Sequence, residues 1–273
     1  MLTIVAGTGY TGRRVLERLP ADNAVGLSRS ALDTDRAFHQ VDFDTLEALP
    51  LPLPPRYSVL YTCPPGDERD ARLRRFLALL DPAPTRFVYI STTGVYGDCR
   101  GAVVTEDSPV NPENRMSRPR VAAEEQLVDW ARRRNCALVV LRAPGIYGPG
   151  RLGIERLREG GTSIAEADAT PGNRIHVDDL ATCCIAALEA ATLAGIYNVG
   201  DGDHRSATWF ADEVARQAGL PEPRKISRAE AETEFSAMRL AFLASSRVVD
   251  TTRMREVLGV VPRDPVTGIS DSL

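Results

Sequence analysis

Short apolar runs alternate with amphipathic segments through the first half of the chain. The apolar runs predict buried strands, and the segments between them predict helices. Strands that alternate with helices at this spacing indicate an α/β fold with a parallel, doubly wound sheet and right-handed crossovers. The predicted strands are the run from Leu2 up to Gly7, then Ala24–Ser28, Phe38–Val41, Tyr57–Thr62, Arg86–Ser91 and Ala137–Leu141, and the predicted helices are Arg13–Leu19, Asp70–Leu80 and Ser117–Arg134.

The second half of the chain has more helix-like segments than apolar runs. A helix follows Asp179, and a strand is predicted at Ile196–Val199. The segment Gly160–Asn173 is low in apolar residues and is predicted to be a loop over the substrate. These elements suit a small helical lobe. Helical spacing predicts core positions at Ala181, Cys184, Ile185 and Leu188, and further helices are predicted at Leu152–Leu157, Thr208–Gln217, Arg228–Leu243 and Thr252–Leu258.

The glycines that follow the first predicted strand have the GxGxxG spacing of a dinucleotide site. Gly7 permits the tight turn, Gly9 lets the backbone approach a pyrophosphate, and Gly12 lets the following helix pack closely on the strand. That helix would direct unpaired amides and the positive end of its dipole at the phosphates. The alternative is a plain glycine-rich turn. The predicted cofactor-binding residues of this loop are Gly7, Thr8, Gly9, Tyr10, Thr11 and Gly12.

The end of the second strand indicates which dinucleotide would bind. NAD-selective sites usually place a carboxylate here for the ribose 2′-hydroxyl, but no carboxylate occurs between Val25 and Leu32. Arg29, with Ser28 and Ser30 beside it, instead suits a 2′-phosphate, which favours NADP(H) over NAD(H). The alternative is an ordinary surface arginine. Asp42, at the end of the third strand, is predicted to bind the adenine amine, and Cys63, Pro64 and Pro65 follow the fourth strand at the sheet edge where open α/β sheets bind ligands.

Composition narrows the class of protein. The chain has 273 residues and 43% hydrophobic content, enough for one large α/β domain or a domain with a small lobe. Its 33 lysines and arginines against 37 acidic residues give a net charge of −4, which favours neither nucleic acid nor an anionic membrane. The arginine clusters at 72–75 and 132–134 are interpreted as solvated helix faces.

The cysteines and the N-terminus bear on location. The 5 cysteines lack metal-ligand spacing, so we expect reduced thiols and no metal. Because the glycine loop begins at Gly7, no signal peptide is expected, and no apolar run has membrane-spanning length. We therefore expect a cytoplasmic protein with a small-molecule substrate. A homodimer stays open.

Further motifs match one family. They are GTGYTG at Gly7, STTGVYG at Ser91, LRAPGIYGPG at Leu141, RIHVDDLA at Arg174 and YNVGDG at Tyr197. With these motifs in this order the chain resembles the extended short-chain dehydrogenases/reductases, which include nucleotide-sugar epimerases and dehydratases and their atypical relatives. The resemblance implies a Rossmann-type domain over 1–150, with a strand and helix returning from about 174–200. It also implies a smaller, mostly helical substrate lobe over 151–273, and Pro144 beside the nicotinamide.

The resemblance also implies where catalysis would occur, and the chain departs from the pattern there. In the family a serine or threonine binds the reacting oxygen, and a tyrosine four residues before a lysine exchanges its proton. Thr92 has the hydroxyl position, but Met116 has the tyrosine position and Arg120 the lysine position. A thioether has no proton to give, so phenolate chemistry cannot run from position 116.

Three classes of function remain open. In the first, the protein is an NADP(H)-dependent oxidoreductase or epimerase-like enzyme in which Tyr96, Tyr147 or a water replaces the tyrosine, polarised by Thr92 and Arg120. In the second, it is a non-catalytic NADP(H)-binding regulator or scaffold, because binding and chemistry use different residues. A lyase or isomerase without redox chemistry is the third. His176 invites a catalytic interpretation, but the motif resembles a structural one that ties the lobes together.

Overall fold

The computed structural model describes residues 1–113, 115–190, 192–236, 239–240 and 245–273. Seven strands form one parallel sheet, and they are β1 (Leu2–Ala6), β2 (Ala24–Ser28), β3 (Phe38–Gln40), β4 (Tyr57–Tyr61), β5 (Arg86–Thr92), β7 (Ala137–Ala143) and β11 (Gly195–Asn198). Their order in the sheet is β11-β7-β5-β4-β1-β2-β3, the doubly wound, Rossmann-like α/β arrangement that the sequence predicts. The chain order reverses between β1 and β4, so a crevice opens at their carboxyl ends.

In the described part of the chain, three parallel strand pairs lie outside this sheet, and each joins segments that are distant in sequence. They are β6 (Val103–Val104) with β13 (Val248–Val249), β8 (Gly145–Tyr147) with β10 (Arg174–His176), and β9 (Thr162–Ile164) with β12 (Arg224–Ile226).

Helices cover both faces of the sheet because successive strand residues point to opposite sides. Val5 of β1 packs in one core with Leu16 and Leu180, whereas Ile4 packs in the other core with Phe76 and Leu127. The helices whose bounds lie within the described residues are α1 (Tyr10–Arg18), α2 (Ala71–Ala78), α3 (Arg118–Arg134), α4 (Ile154–Arg158), α5 (Val177–Glu189), α6 (Ala207–Gln217), α7 (Arg228–Glu234) and α8 (Pro265–Ser270).

The structure corrects several predicted elements. The first helix begins at Tyr10 rather than Arg13, so the second half of the glycine motif is already helical. The segment Gly160–Asn173 is not all loop, because it contains β9 and a 3₁₀ turn. The helix predicted to run from Arg228 ends at Glu234, and most of the rest of that prediction, residues 237, 238 and 241–243, lies outside the described residues. Thr252–Leu258 contains a π-helix at Met254–Leu258.

The C-terminal segment does not form a separate body of helices alone. Its β9–β12 pair packs Ile164 and Ile226 with Ala231 of α7 in a small core. Met254 and Leu258 instead join the main core under α5. The division of the chain at residue 150 therefore stays a prediction.

Two features of the structure relate to the expected location of the protein, namely the length of its helices and the state of its cysteines. No helix in the described ranges is long and apolar enough to cross a membrane. The five cysteines are free thiols, and four of them are buried. Burial raises the pKa of the thiols of Cys63, Cys136 and Cys183 to about 12, which leaves them protonated and unreactive at neutral pH.

Candidate functional site

A cavity of about 670 Å³ opens at the carboxyl ends of β1, β2 and β4, where a doubly wound sheet binds its ligand. This volume is in the range of small-molecule and cofactor sites. Most of the predicted cofactor-binding residues line it. The predicted residues that line the cavity are Gly7, Thr8, Gly9, Tyr10, Thr11, Ser28, Arg29, Ser30, Asp42, Cys63 and Pro64. The other lining residues are Leu32, Phe43, Asp44, Thr62, Arg72, Ile90, Arg120, Ile146 and Arg151.

The presence of glycine at each of the three motif positions has a different physical explanation. Gly7 has a φ of 94°, and a methyl group there would lie 2.7 Å from Cys63 Sγ and from Thr62 Oγ1. A methyl group at Gly12 would overlap the Gly7 carbonyl oxygen, so Gly12 lets α1 pack on the turn and does not line the cavity. These two positions need glycine for the protein's own packing.

Gly9 is the exception among the three. A methyl group there would meet no heavy atom within 4 Å, so the protein's own packing does not require glycine. Gly9 precedes α1, which receives no side-chain cap from the described residues and has no acidic residue in its first turn. The first amides of α1 therefore stay unpaired beside space that a side chain at position 9 would fill, and this arrangement fits a bound pyrophosphate.

The far end of the cavity carries the predicted 2′-phosphate site. Ser28 is buried, whereas Arg29 and Ser30 are exposed, and the Arg29 backbone is held by a hydrogen bond from Gln40 Nε2 to its carbonyl oxygen (3.0 Å). Asp42 is exposed, and its Oδ1 accepts from the Asp44 amide at 2.9 Å. Asp42 is thus part of a turn and has its second oxygen left for a ligand.

Arg72 corrects the interpretation of the arginine cluster at 72–75 as a solvated face. Its Nε and Nη2 donate to the two carboxylate oxygens of Asp44 at 2.9 and 2.6 Å, and its Nη1 donates to the Pro64 carbonyl at 3.2 Å. This bidentate pair lowers the pKa of Asp44. It also fixes Pro64 at the cavity wall, while Pro65 does not line the cavity.

Arg120 lies in the wall of the same cavity. Its Nη1 donates to the Ile90 carbonyl of β5 at 2.7 Å and to the Tyr89 hydroxyl at 3.1 Å. The Thr92 hydroxyl, at the end of β5, accepts from the Gly94 amide at 3.1 Å and is not among the lining residues. Met116 is 45% exposed and precedes α3. Pro144, between β7 and β8, does not line the cavity either.

Tyr96 is enclosed in a buried ionic network. Its hydroxyl donates to Asn198 Oδ1 at 2.7 Å and accepts from Arg142 Nη1 at 2.9 Å. Arg142 in turn pairs with Glu124 at 2.7 Å, with side chains only 4% and 8% exposed, and Ser91 also donates to Glu124. Burial raises the pKa of Tyr96, and the phenol does not line the cavity.

Tyr147 is also enclosed. Its ring packs edge-on against His176 and Phe210, with centroids 5.2 and 5.1 Å away, and burial raises its pKa. Within the described chain its hydroxyl has no hydrogen-bond partner. Neither Tyr96 nor Tyr147 therefore lines the cavity.

His176 occupies a structural position, as predicted. Its Nδ1 accepts from the Asp178 amide at 3.2 Å and caps the start of α5, and its Nε2 lies 3.1 Å from Ser272 Oγ. Beside it Asp179 pairs with Arg263 at 3.1 Å. The motif thus ties the start of α5 to the C-terminal segment.

Asp201 lies near Tyr147 and is expected to give a pH-dependent stability. Burial raises its pKa to about 7, and its Oδ2 has no partner among the described residues. A folded-state pKa above the unfolded value means that the fold favours the protonated acid and loses stability as pH rises from about 4 to 7. Asp201→Asn should therefore raise Tm by roughly 2–4 °C at pH 8 and by less at pH 5. Thermal scans at both pH values check this, and an equal shift at both would contradict it.

Sequence reasoning missed Asp44 and Arg151 in the cavity wall and assigned Arg72 to solvent. The contact between Arg72 and Asp44 joins positions 28 residues apart, and the sequence pattern around each one is that of a surface residue. Arg151 directly follows the GIYGPG motif, and that position was the available signal. Among the described residues, no group of three or more His, Cys, Asp or Glu is placed to hold a metal.

Comparison with known proteins agrees with this geometry. The model of the NAD dependent epimerase/dehydratase family matches residues 72–200. The protein YeeZ of Escherichia coli K12 is 31% identical over 195 residues, which are 67% of this chain and 64% of YeeZ, so the match spans less than two thirds of YeeZ. A functionally unknown conserved protein from Silicibacter pomeroyi superposes with a TM-score of 0.79 and 28% identity over 98% of this chain and 97% of its own.

Two further solved structures show the same fold at 19% identity. MoeE5 in complex with UDP-glucose and NAD has a TM-score of 0.77 over 100% of this chain and 97% of its own. The human epimerase family protein SDR39U1 with NADPH has a TM-score of 0.75 over 100% of this chain and 99% of its own. These comparisons show that the chain is similar to members of the NAD dependent epimerase/dehydratase family.

Proposed function

We propose that the protein binds NADP(H) and is an oxidoreductase or epimerase-like enzyme acting on a small carbonyl, hydroxyl or sugar-like compound. The observation that carries this proposal is that one cavity contains Gly9 with free space beside it, Arg29 at one end and Arg120 in the wall. These are the parts that a dinucleotide and a reacting oxygen require.

The preference for NADP(H) rests on the charge around Arg29. Asp44 interacts electrostatically with Arg29, and the charge of Asp44 is already balanced by its bidentate pair with Arg72. The Arg29 guanidinium makes no hydrogen bond to another described residue, so its donors are available to a 2′-phosphate.

Arg120 is proposed to take over part of the role of the tyrosine and lysine that this chain lacks. Its bond to the Ile90 carbonyl fixes the guanidinium in the cavity wall, where a fixed cation stabilises negative charge on a reacting oxygen. The nicotinamide would supply the hydride chemistry when bound. Arginine keeps its protons near neutral pH, and Tyr96 and Tyr147 lie outside the cavity, so the proton would come from water. The Thr92 hydroxyl accepts from the Gly94 amide and does not line the cavity, so no part in the proton transfer is proposed for it.

A non-catalytic NADP(H)-binding regulator or scaffold is the second candidate. It is favoured by the cavity wall itself, where the Cys63 thiol has its pKa raised to about 12 and neither Tyr96 nor Tyr147 is present. Steady-state NADPH oxidation against a panel of carbonyl compounds, including nucleotide sugars, separates the two candidates. Turnover that falls in Arg120→Ala supports the enzyme, whereas tight binding without turnover supports the regulator.

The cofactor preference is tested at Arg29. Arg29→Ala should weaken NADPH binding about tenfold to a hundredfold and leave NADH binding unchanged, because only NADPH carries the 2′-phosphate. Calorimetric titration of both cofactors measures this, with Arg132→Ala, an exposed arginine of α3, as the control. Wild-type protein that binds NADH as tightly as NADPH would refute the preference.

A further inference from the structure

Tyr10 of the glycine motif joins α1 to the segment Gly148–Arg151 that follows β8. Its hydroxyl donates to the Pro149 carbonyl at 2.9 Å. Two guanidinium groups lie over its ring, that of Arg14 at 4.4 Å from the centroid and that of Arg151 at 3.9 Å. Distances of this size are those of cation–π contacts.

This close approach depends on Gly148. Its φ is 146°, and a methyl group there would lie 2.7 Å from the Tyr10 hydroxyl oxygen and 2.7 Å from Val177. The backbone of the segment can therefore rest directly on Tyr10, which brings the next charged residue, Arg151, to the mouth of the cavity.

The two guanidinium groups differ in their charge balance. Arg14 Nε pairs with Asp178 Oδ1 at 3.0 Å, so its charge is neutralised. Arg151 has no carboxylate within ion-pair distance in the part of the chain that the structure describes. The residues outside that part are Asn114, Ala191, Ala237, Met238 and 241–244, and none of them is acidic. Arg151 therefore carries an unbalanced positive charge in the cavity wall beside Gly9, Tyr10 and Thr11.

The glycine motif itself supplies no full positive charge. It would offer a pyrophosphate only backbone amides and the partial charge of α1, about half an elementary charge. Arg72 is committed to Asp44, and Arg13 to Glu17 and the Asp33 carbonyl. Arg29 lies at the end of β2, where the 2′-phosphate is proposed to bind.

We propose that Arg151 binds the cofactor pyrophosphate, with its guanidinium oriented by the ring of Tyr10. This proposal rests on the proposed function, because it presupposes that NADP(H) binds in this cavity. The segment Gly148–Arg151, which we call the clasp, is then held in place by Tyr10 of the glycine motif. A planar guanidinium suits this position because it can stack on the ring and still direct several donors at phosphate oxygens.

The chemistry predicts a pattern that separates Arg151 from Arg29. The pyrophosphate is common to NADPH and NADH, so Arg151→Ala should weaken both by the same factor, about tenfold to a hundredfold. ADP-ribose, which keeps the pyrophosphate and lacks the nicotinamide, should lose the same factor. Arg29→Ala should weaken NADPH alone, and the two effects should multiply in the double variant because the groups bind separate phosphates.

The test is calorimetric titration of NADPH, NADH and ADP-ribose into wild type, Arg151→Ala and Arg151→Lys. The matched control is Arg158→Ala, since Arg158 pairs with Glu155 and does not line the cavity. Arg151→Lys should give an intermediate loss, because an ammonium keeps the charge without the planar fork. Tyr10→Leu removes the ring under Arg151 and should weaken all three ligands.

The outcomes separate the two proposals. Equal losses for the three ligands in Arg151→Ala, with Arg158→Ala unchanged, support the clasp. Wild-type affinity in Arg151→Ala, or a loss confined to NADPH, overturns it and leaves the proposed function standing. A wild type that binds none of the three ligands overturns both.

Discussion

Replacing Gly9 with valine should abolish the proposed binding of NADPH and NADH while the protein stays folded. A methyl group at position 9 meets no protein atom within 4 Å, so we expect the fold to tolerate valine there, with its side chain in the proposed ligand space beside the first turn of α1. A lost pyrophosphate site removes the contacts common to both cofactors, and we expect affinity to fall by more than about a hundredfold. Circular dichroism and thermal unfolding measure whether the variant is folded, and calorimetric titration measures its cofactor affinity.

The neighbouring glycines provide the matched controls. Gly12→Val places a side chain on the Gly7 carbonyl, and Gly7→Val meets Cys63 and Thr62 at a φ of 94°. Both variants should lose stability as well as binding, whereas Gly9→Val should lose binding alone. Unchanged cofactor affinity in a folded Gly9→Val variant would show that the motif is only a turn.

The central sheet could be predicted from the sequence because its strands are buried on both faces. Such strands appear as uninterrupted apolar runs, and β2 (Ala24–Ser28) was predicted to the residue. Short strands outside this sheet could not be predicted in the same way. β9 (Thr162–Ile164) exists because it pairs with β12, about sixty residues later, and its local pattern resembles a polar loop.

The glycine motif of the cavity could be predicted from the sequence, whereas the charged residues of its wall could not. The spacing of Gly7, Gly9 and Gly12 is local, and the structure gives each of them a separate physical reason. The ion pair of Arg72 with Asp44 is set by tertiary packing, which no local pattern encodes.

Tyr96 illustrates the same limit for candidate catalytic residues. It follows the carboxyl end of β5, the place where a parallel sheet presents its ligand site. Its side chain nevertheless points into the buried network with Arg142 and Asn198. Position along the chain indicates the edge of the sheet, and the direction of a side chain depends on partners that are distant in sequence.

The second large effect is expected at Glu124, the centre of that network. Its carboxylate accepts from Arg142 Nη2 at 2.7 Å and from the Ser91 hydroxyl, and both charged side chains are almost fully buried. Glu124→Ala leaves the Arg142 charge buried without its partner, which should cost about 3–5 kcal/mol of unfolding free energy. Glu124→Gln should cost nearly as much, because it keeps the shape and removes the charge.

The control for Glu124 is its neighbour on the same helix. Glu125 is exposed, so Glu125→Ala should change the unfolding free energy by less than about 0.5 kcal/mol. Urea unfolding followed by circular dichroism measures all three variants under the same conditions. A loss at Glu124 no larger than the loss at Glu125 would mean that the network adds nothing to stability. A large loss confined to Glu124 would show that the buried network of Glu124, Arg142 and Tyr96 contributes to the stability of the core.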